Sequence, residues 1–131
     1  MKVLALDYGR ARTGVAVSDP TGTLARPLGV VERAATGPGL ARLRELIEQE
    51  RPGRVVVGLP LTLAGRRGEQ AEETERFVEA LRAAVDVPVE SFDERFTTDL
   101  ASQDAGAAAA EDARAAAHLL SSYLEWTSRP A

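Results

Sequence analysis

Residues 3–18 read VLALDYGRARTGVAVS. An apolar run, Val3 to Leu6, leads into Asp7, a polar connection from Tyr8 to Thr13 turns the chain, and Gly14 to Ser18 forms a second apolar run. The segment therefore reads as a β-hairpin. Asp19-Pro20-Thr21-Gly22 has the composition of a turn, and Thr23 to Val31 adds a third antiparallel strand, in which Pro27 marks a bulge or an edge. Beyond this meander the period changes. Gly37-Pro38-Gly39 breaks the pattern, and Leu40, Leu43, Leu46 and Ile47 recur at helical spacing up to about Glu50, where Pro52-Gly53 stops the helix. Val55 to Leu59 is a short continuous apolar run, suited to an interior strand covered on both faces and ended by Pro60. A polar loop through Gly65 and Gly68 leads to a second helix with Ala71, Thr74, Phe77, Val78 and Leu81 on its apolar stripe. Pro88 to Phe92 is a further strand that delivers Asp93-Glu94-Arg95 at its C-terminal end. The remainder, beyond Thr97, is alanine-rich and helical, interrupted near Gly106 and resuming from Glu111 to about Trp126. A meander followed by alternating helix and strand predicts an α/β fold: a five-stranded mixed sheet, three antiparallel strands then two parallel ones, flanked by helices.

The 131 residues suit one domain, 1–131, with no internal repeat or linker. There is no cysteine, which excludes disulfides, thiolate zinc sites and thiol nucleophiles together. Any metal must be held mainly by oxygen, which points to magnesium or manganese. The start reaches Asp7 too soon for a signal sequence, and no apolar run has the length of a membrane span, so the expectation is a cytoplasmic protein without a membrane partner. The net charge of −4 runs against nucleic-acid binding. The distribution runs the other way: Arg10, Arg12, Arg66, Arg67 and Arg95 lie beside the polar motifs, whereas much of the acid sits at Glu69 to Glu75.

The chemistry rests on carboxylates. In-line hydrolysis of a phosphodiester needs activated water, a counter-charge for the transition state and help for the leaving oxygen, and two divalent ions clamped by acids supply all three. Asp7 ends a strand deep in the sheet, where an unpaired carboxylate costs several kcal/mol on the order given by burying one charge, so it needs a cation or a role as a turn cap. Asp93-Glu94 ends a second strand at the same edge of a parallel pair, where α/β sheets carry their sites. Adjacent residues point to opposite faces, so one of the two is a primary ligand, the alternative being a surface ion pair or a helix cap. Asp112 stands at the start of the last helix, a place the helix dipole favours for any acid. His118 is the only histidine, and its alanine-rich surroundings suit a packed or solvent-facing ring better than a ligand. Asp7-Tyr8-Gly9 with Gly14 has the look of a phosphate-cradling turn, a short pattern that recurs by chance.

Read in order, Leu6-Asp7-Tyr8-Gly9, Arg12-Thr13-Gly14-Val15-Ala16, Val57-Gly58-Leu59-Pro60-Leu61 with Gly65 and Gln70, Asp93-Glu94-Arg95-Phe96-Thr97-Thr98, and Asp112-Ala113-Arg114-Ala115-Ala116 with Leu120 and Tyr123-Leu124-Glu125 resemble the YqgF/RuvX family across nearly the whole chain. The resemblance implies a ribonuclease H-like fold and a metal-dependent nuclease, acting as a Holliday junction resolvase or in maturing the 5′ end of pre-16S ribosomal RNA. It implies Asp7, Glu94 and Asp112 as ligands of Mg²⁺ or Mn²⁺. Arg10, Arg12 and Arg95 then contact phosphate or orient the acids, Thr97 and Thr98 support the loop, and Arg66 and Arg67 belong to a loop that grips phosphate or to a solvated turn. One departure stands out: family members commonly carry lysines before the closing helix, where this chain has Ala101 to Gly106 and a run of alanines. Glu111 and Asp104 are accordingly alternatives to Asp112. Structured RNA and branched DNA are the expected partners, and paired cuts at a junction favour a homodimer. Two rivals remain: a nucleic-acid-binding scaffold without catalysis, and a nucleotide-binding fold of the Asp-x-Gly type, which needs a second lobe.

Overall fold

The computed structural model describes residues 1–60, 68–94 and 108–128, with the side chains of residues 108–110 outside the description. The elements run β1 (Val3–Asp7), β2 (Arg12–Ser18), β3 (Ala25–Glu32), α1 (Gly37–Glu50), β4 (Arg54–Leu59), α2 (Glu69–Ala84), β5 (Val89–Asp93) and α3 (Ala108–Thr127). They form one five-stranded sheet in the order β3-β2-β1-β4-β5. β1 pairs antiparallel with β2 and parallel with β4, β2 pairs antiparallel with β3, and β4 pairs parallel with β5. This is the mixed sheet that the hairpin and the later strand-helix-strand pattern predict. The register between β2 and β3 shifts after Val15: Val15 faces Gly29 and Ala16 faces Pro27, leaving Leu28 as the extra residue of a bulge on the edge strand. Pro27 belongs there because it has no N–H to give to a ladder.

Alternation along the strands builds a core on each face. On one face Leu4, Leu6, Val15, Val55 and Val57 pack with Leu43 and Ile47 of α1 and Phe77, Val78 and Leu81 of α2. On the other, Val3, Ala5, Ala16, Val56 and Phe92 pack under Ala116, Leu119, Leu120, Tyr123 and Leu124 of α3. Parallel strands covered on both sides must be apolar throughout, which is why Val55-Val56-Val57 shows no alternation. The acids fall where that apolar rule ends, at the C-terminal edge of β1 and β5.

Local signals terminate the elements. Asp19 Oδ1 accepts from the N–H of Thr23 (2.8 Å) and of Leu24 (2.9 Å), and Gly22 takes the left-handed φ of +73° that the turn before β3 requires. Those hydrogen bonds and one from the Thr21 hydroxyl, the largest effect, hold the Asp19 carboxyl well below the usual carboxylate range. Thr36 caps α1 by accepting from Gly39 N, and α1 ends at Arg51 with φ +50°. A left-handed residue with a side chain costs roughly 1 kcal/mol relative to glycine. Arg51→Gly should therefore raise stability by about 0.5–1 kcal/mol, less than the full strain because glycine loses more entropy on folding; no change in the denaturant midpoint would show the αL strain to be absorbed elsewhere. The predicted interruption near Gly106 and the loop around Gly65 lie outside the described residues.

Candidate active site

Three structural facts bring the acids together. Asp7 shares a strand face with Val3 and Ala5, which lie under α3, so its carboxylate projects to the α3 side of the sheet. By the same alternation Glu94, two residues past Phe92, lies on the α3 side, and Asp93 on the other. The helix itself delivers Asp112, and its seat is Gly14, the residue opposite Asp7 in the β1–β2 register. A Cβ on Gly14 would stand 1.9 Å from the carbonyl oxygen of Asp112, so the first turns of α3 lie directly on the strand. Ala113 and Ala116 are small enough to let the helix backbone come down there.

Gly58 clears a second space. A Cβ at that position would lie 2.6 Å from Glu94 Oε1 and 3.1 Å from Leu119 Cδ2. The Glu94 side chain therefore lies over the bare backbone of β4 on its way to Asp7. In the sequence both glycines stand within motifs, and neither declares a role. The available signal was an isolated glycine inside a strand pattern, which marks close approach of another group.

Asp7 and Glu94 are hydrogen-bonded through their side chains. Two carboxylates in contact cannot both be ionised without cost, so they share a proton. Burial pushes the Asp7 carboxyl up, the bond from Glu94 pulls it down, and the charge of Asp112 raises it again. Glu94 is pushed up to about 8, first by burial, then by the charge and hydrogen bond of Asp7 and the charge of Asp93. These directions make Glu94 the proton donor and Asp7 the acceptor. Asp112 acts on Asp7 through space, while its Oδ2 accepts a hydrogen bond from Arg12 Nε at 2.8 Å. Among the described residues no three His, Cys, Asp or Glu stand together in a ready metal cluster. The arrangement is a contact pair, Asp7 with Glu94, and a third acid close enough to be felt but tied to an arginine.

Arg10 stands at the same edge but is turned to α2. Its Nε (3.1 Å) and Nη2 (2.6 Å) donate to Glu73 Oε1, and the Tyr8 hydroxyl donates to Glu73 Oε2 at 2.9 Å. The Tyr8 ring stacks on Phe77 with centroids 4.4 Å apart, so the connection after Asp7 is anchored to α2. Burial and Glu73 together push the Tyr8 phenol up to about 12. Glu73 was not among the sequence candidates because it sits in an acidic stretch that reads as solvated surface. A cleft of about 310 Å³ opens between Tyr8, Gly9, Arg10, Glu69, Gln70 and Glu73. Arg66, Arg67, Arg95, Thr97, Thr98 and Asp104 lie outside the described residues.

The chain and its fold have relatives among known proteins. The family model described as RuvX: Holliday junction resolvase matches residues 1–126. A protein of Rubrobacter xylanophilus is 46% identical over 131 residues, covering 95% of this chain and 92% of its own length. One from Desulforudis audaxviator is 41% identical over 132 residues, covering 95% and 94%. One from Chloroflexus aurantiacus is 45% identical over 101 residues, 77% of this chain; that match spans 66% of the relative, just under two thirds of its length. All three bear the name "Putative pre-16S rRNA nuclease". Among solved structures, Thermus thermophilus RuvC in complex with a Holliday junction substrate superposes with a TM-score of 0.65 at 21% identity, covering 97% of this chain and 95% of that one. The fowlpox virus resolvase with its Holliday junction DNA reaches 0.56 at 11% identity, covering 98% of this chain and 100% of that one. The fold is thus the ribonuclease H-like fold of RuvC-type resolvases, and the chain belongs to the RuvX family.

Proposed function

We propose that this chain is a metal-dependent nuclease that hydrolyses phosphodiester bonds in structured nucleic acid in the cytoplasm, with processing of the 5′ end of pre-16S ribosomal RNA as its principal task. The observation that carries the reading is the half-buried, hydrogen-bonded Asp7–Glu94 pair on the α3 face beside Asp112. Two carboxylates in contact at a sheet edge do not serve stability, because each raises the cost of ionising the other. A divalent cation removes that cost by replacing the shared proton.

The residues present fit such an ion. The donors are hard carboxylate oxygens, as Mg²⁺ and Mn²⁺ prefer. Gly58 leaves the space in which Glu94 lies, and a guanidinium already sits on Asp112 as a cation would. Asp7, Glu94 and Asp112 are the residues that would hold it. Bound there, a divalent ion would supply Lewis-acid stabilisation of phosphoryl charge and a lowered pKa for attacking water. The chain's own part is to fix the carboxylates: β1 and β5 present Asp7 and Glu94, and α3 brings Asp112 over Gly14. Arg12, Arg66, Arg67 and Arg95 offer positive charge to the phosphate backbone. Arg10 joins them only when Glu73 gives up its fork. Thr97 and Thr98 are assigned to substrate binding with them, and a homodimer would place two such sites on one junction.

The relatives' names favour ribosomal precursor RNA, and the family description favours branched DNA. Both present the same phosphodiester to the same acids. A panel of pre-16S RNA, unstructured RNA and four-way DNA junctions, each with Mg²⁺, Mn²⁺ or EDTA, separates them. The expected result is cleavage only with a divalent ion and fastest on the ribosomal precursor. Binding that persists in EDTA without cleavage under either metal would instead identify a non-catalytic scaffold.

A further inference from the structure

Arg10 and Arg12 flank the same short connection, and each is held by a carboxylate of its own chain. Their partners differ in kind. Glu73 belongs to α2, while Asp112 is one of the three acids on the α3 face. Arg12 stands at the first position of β2, and its Nε donates to Asp112 Oδ2 on α3 at 2.8 Å. The pair is half-open to solvent, with 44% of the Arg12 side chain and 33% of that of Asp112 exposed. A cation from solution can therefore reach Asp112, and Arg12 can leave it without passing through the core.

We infer that Arg12 is a resident counter-cation for Asp112, which competes with the divalent ion for that carboxylate and is released toward substrate phosphate when the ion takes it. The inference rests on the metal reading of Asp7, Glu94 and Asp112. Two cations on one carboxylate repel, so metal and guanidinium weaken each other there. Arg12 then has five donors suited to a phosphate and no carboxylate to hold it. Linkage makes the effect reciprocal: a phosphate that draws Arg12 away must tighten metal binding by the factor with which metal tightens phosphate binding. Metal and nucleic acid thus bind with positive cooperativity, while neither needs to touch the other.

Calorimetric titration of the full chain with MnCl₂ tests this without reading activity. Arg12→Gln, which keeps a polar side chain and removes the charge, should bind Mn²⁺ about 3–10-fold tighter than the unmodified chain, the size of effect expected for a half-exposed charge pair. Arg12→Lys, which keeps the charge, should stay within about twofold. The affinity for a four-way DNA junction, measured in Ca²⁺ against EDTA, should gain less from the ion in Arg12→Gln than in the parent. Equal or weaker Mn²⁺ binding by Arg12→Gln, with Asp7→Asn still abolishing the heat, overturns the role of Arg12 and leaves the metal reading standing. Mn²⁺ heat that is missing from the parent, or unchanged in Asp7→Asn, removes the metal reading and this inference with it.

Discussion

Asp7→Asn should lower the cleavage rate by at least about 10³-fold, equivalent to roughly 4 kcal/mol of transition-state stabilisation, and at the same time make the metal-free protein more stable at pH 8. The two effects have one cause. In the parent, the fold raises the Glu94 carboxyl from its ordinary 4.5 to about 8 through burial and the neighbouring Asp7. Below pH 4.5 the carboxyl is protonated in both the folded and unfolded chain, and stability does not depend on it. Between 4.5 and 8 the unfolded chain loses the proton while the folded one keeps it, so stability falls as pH rises, and above 8 the loss is complete. Linkage places that loss at roughly 2–4 kcal/mol, allowing for a titration shared between two coupled groups. An asparagine amide at position 7 keeps the shape, carries no charge and can donate to an ionised Glu94. The stability profile of the variant should therefore be flatter from about pH 5 to 8, and its melting temperature at pH 8 higher by about 3–8 °C. Mn²⁺ should raise the melting temperature of the parent and leave that of the variant nearly unchanged. An inactive variant that is also less stable at pH 8 would mean that Asp7 holds the fold together, and the pair would lose its claim to be a site.

Much of this arrangement was legible in the sequence because strands and acids announce themselves locally. The apolar run from Val3 to Leu6 and the uninterrupted Val55 to Leu59 placed β1 and β4 inside the sheet, and Pro27 marked β3 as a bulge or an edge. Asp7 stood out because it ends an apolar run, and Asp93-Glu94 because the pair lies at the end of a second strand. Parity left one acid of the Asp93-Glu94 pair as a candidate without saying which, the family resemblance implied Glu94, and in the structure Glu94 is the one that lies over Gly58 on the α3 side. What local pattern did not carry was contact between segments distant in the chain. Nothing near Gly14 says that a helix starting some ninety residues later lies on it, and nothing in Glu69 to Glu75 says that Glu73 reaches back to Arg10 and Tyr8. Asp112 is intermediate: the sequence placed it at the start of a helix, which suits any acid, whereas α3 begins at Ala108, and only the fold joins it to Asp7 through space. The alanines around it read as low complexity, yet on α3 they have a packing reason, since a larger residue at 113 or 116 would lift the helix from the sheet.

Gly14→Ala should be among the most damaging single-methyl changes in the described part of the molecule. The added Cβ would meet the Asp112 carbonyl oxygen at 1.9 Å, its carbon at 2.5 Å and Ala113 N at 3.2 Å. All three are backbone atoms of a helix pinned by Ala116, Leu119, Leu120 and Tyr123, so no side chain can swing aside to make room. Either α3 lifts off the hairpin, opening the core on that face, or the strand bends. Overpacking of this kind costs about 3 kcal/mol or more, and the melting temperature should fall by roughly 10 °C. Two other glycines of the sheet calibrate the result. Gly29 has nothing within 4 Å of the place an added methyl would take, and Gly29→Ala should be neutral or slightly stabilising, as alanine usually is in a strand. At Gly58 the obstruction is made of side-chain atoms alone, Glu94 Oε1 at 2.6 Å, Glu94 Cγ at 3.0 Å and Leu119 Cδ2 at 3.1 Å. Gly58→Ala should thus cost little stability but remove most cleavage, because Glu94 gives way and no longer meets Asp7. Thermal melts and cleavage rates on the three variants separate a seat for the helix from a seat for the acid. If Gly14→Ala melts with Gly29→Ala, α3 does not rest on the hairpin, and Asp112 is not beside Asp7.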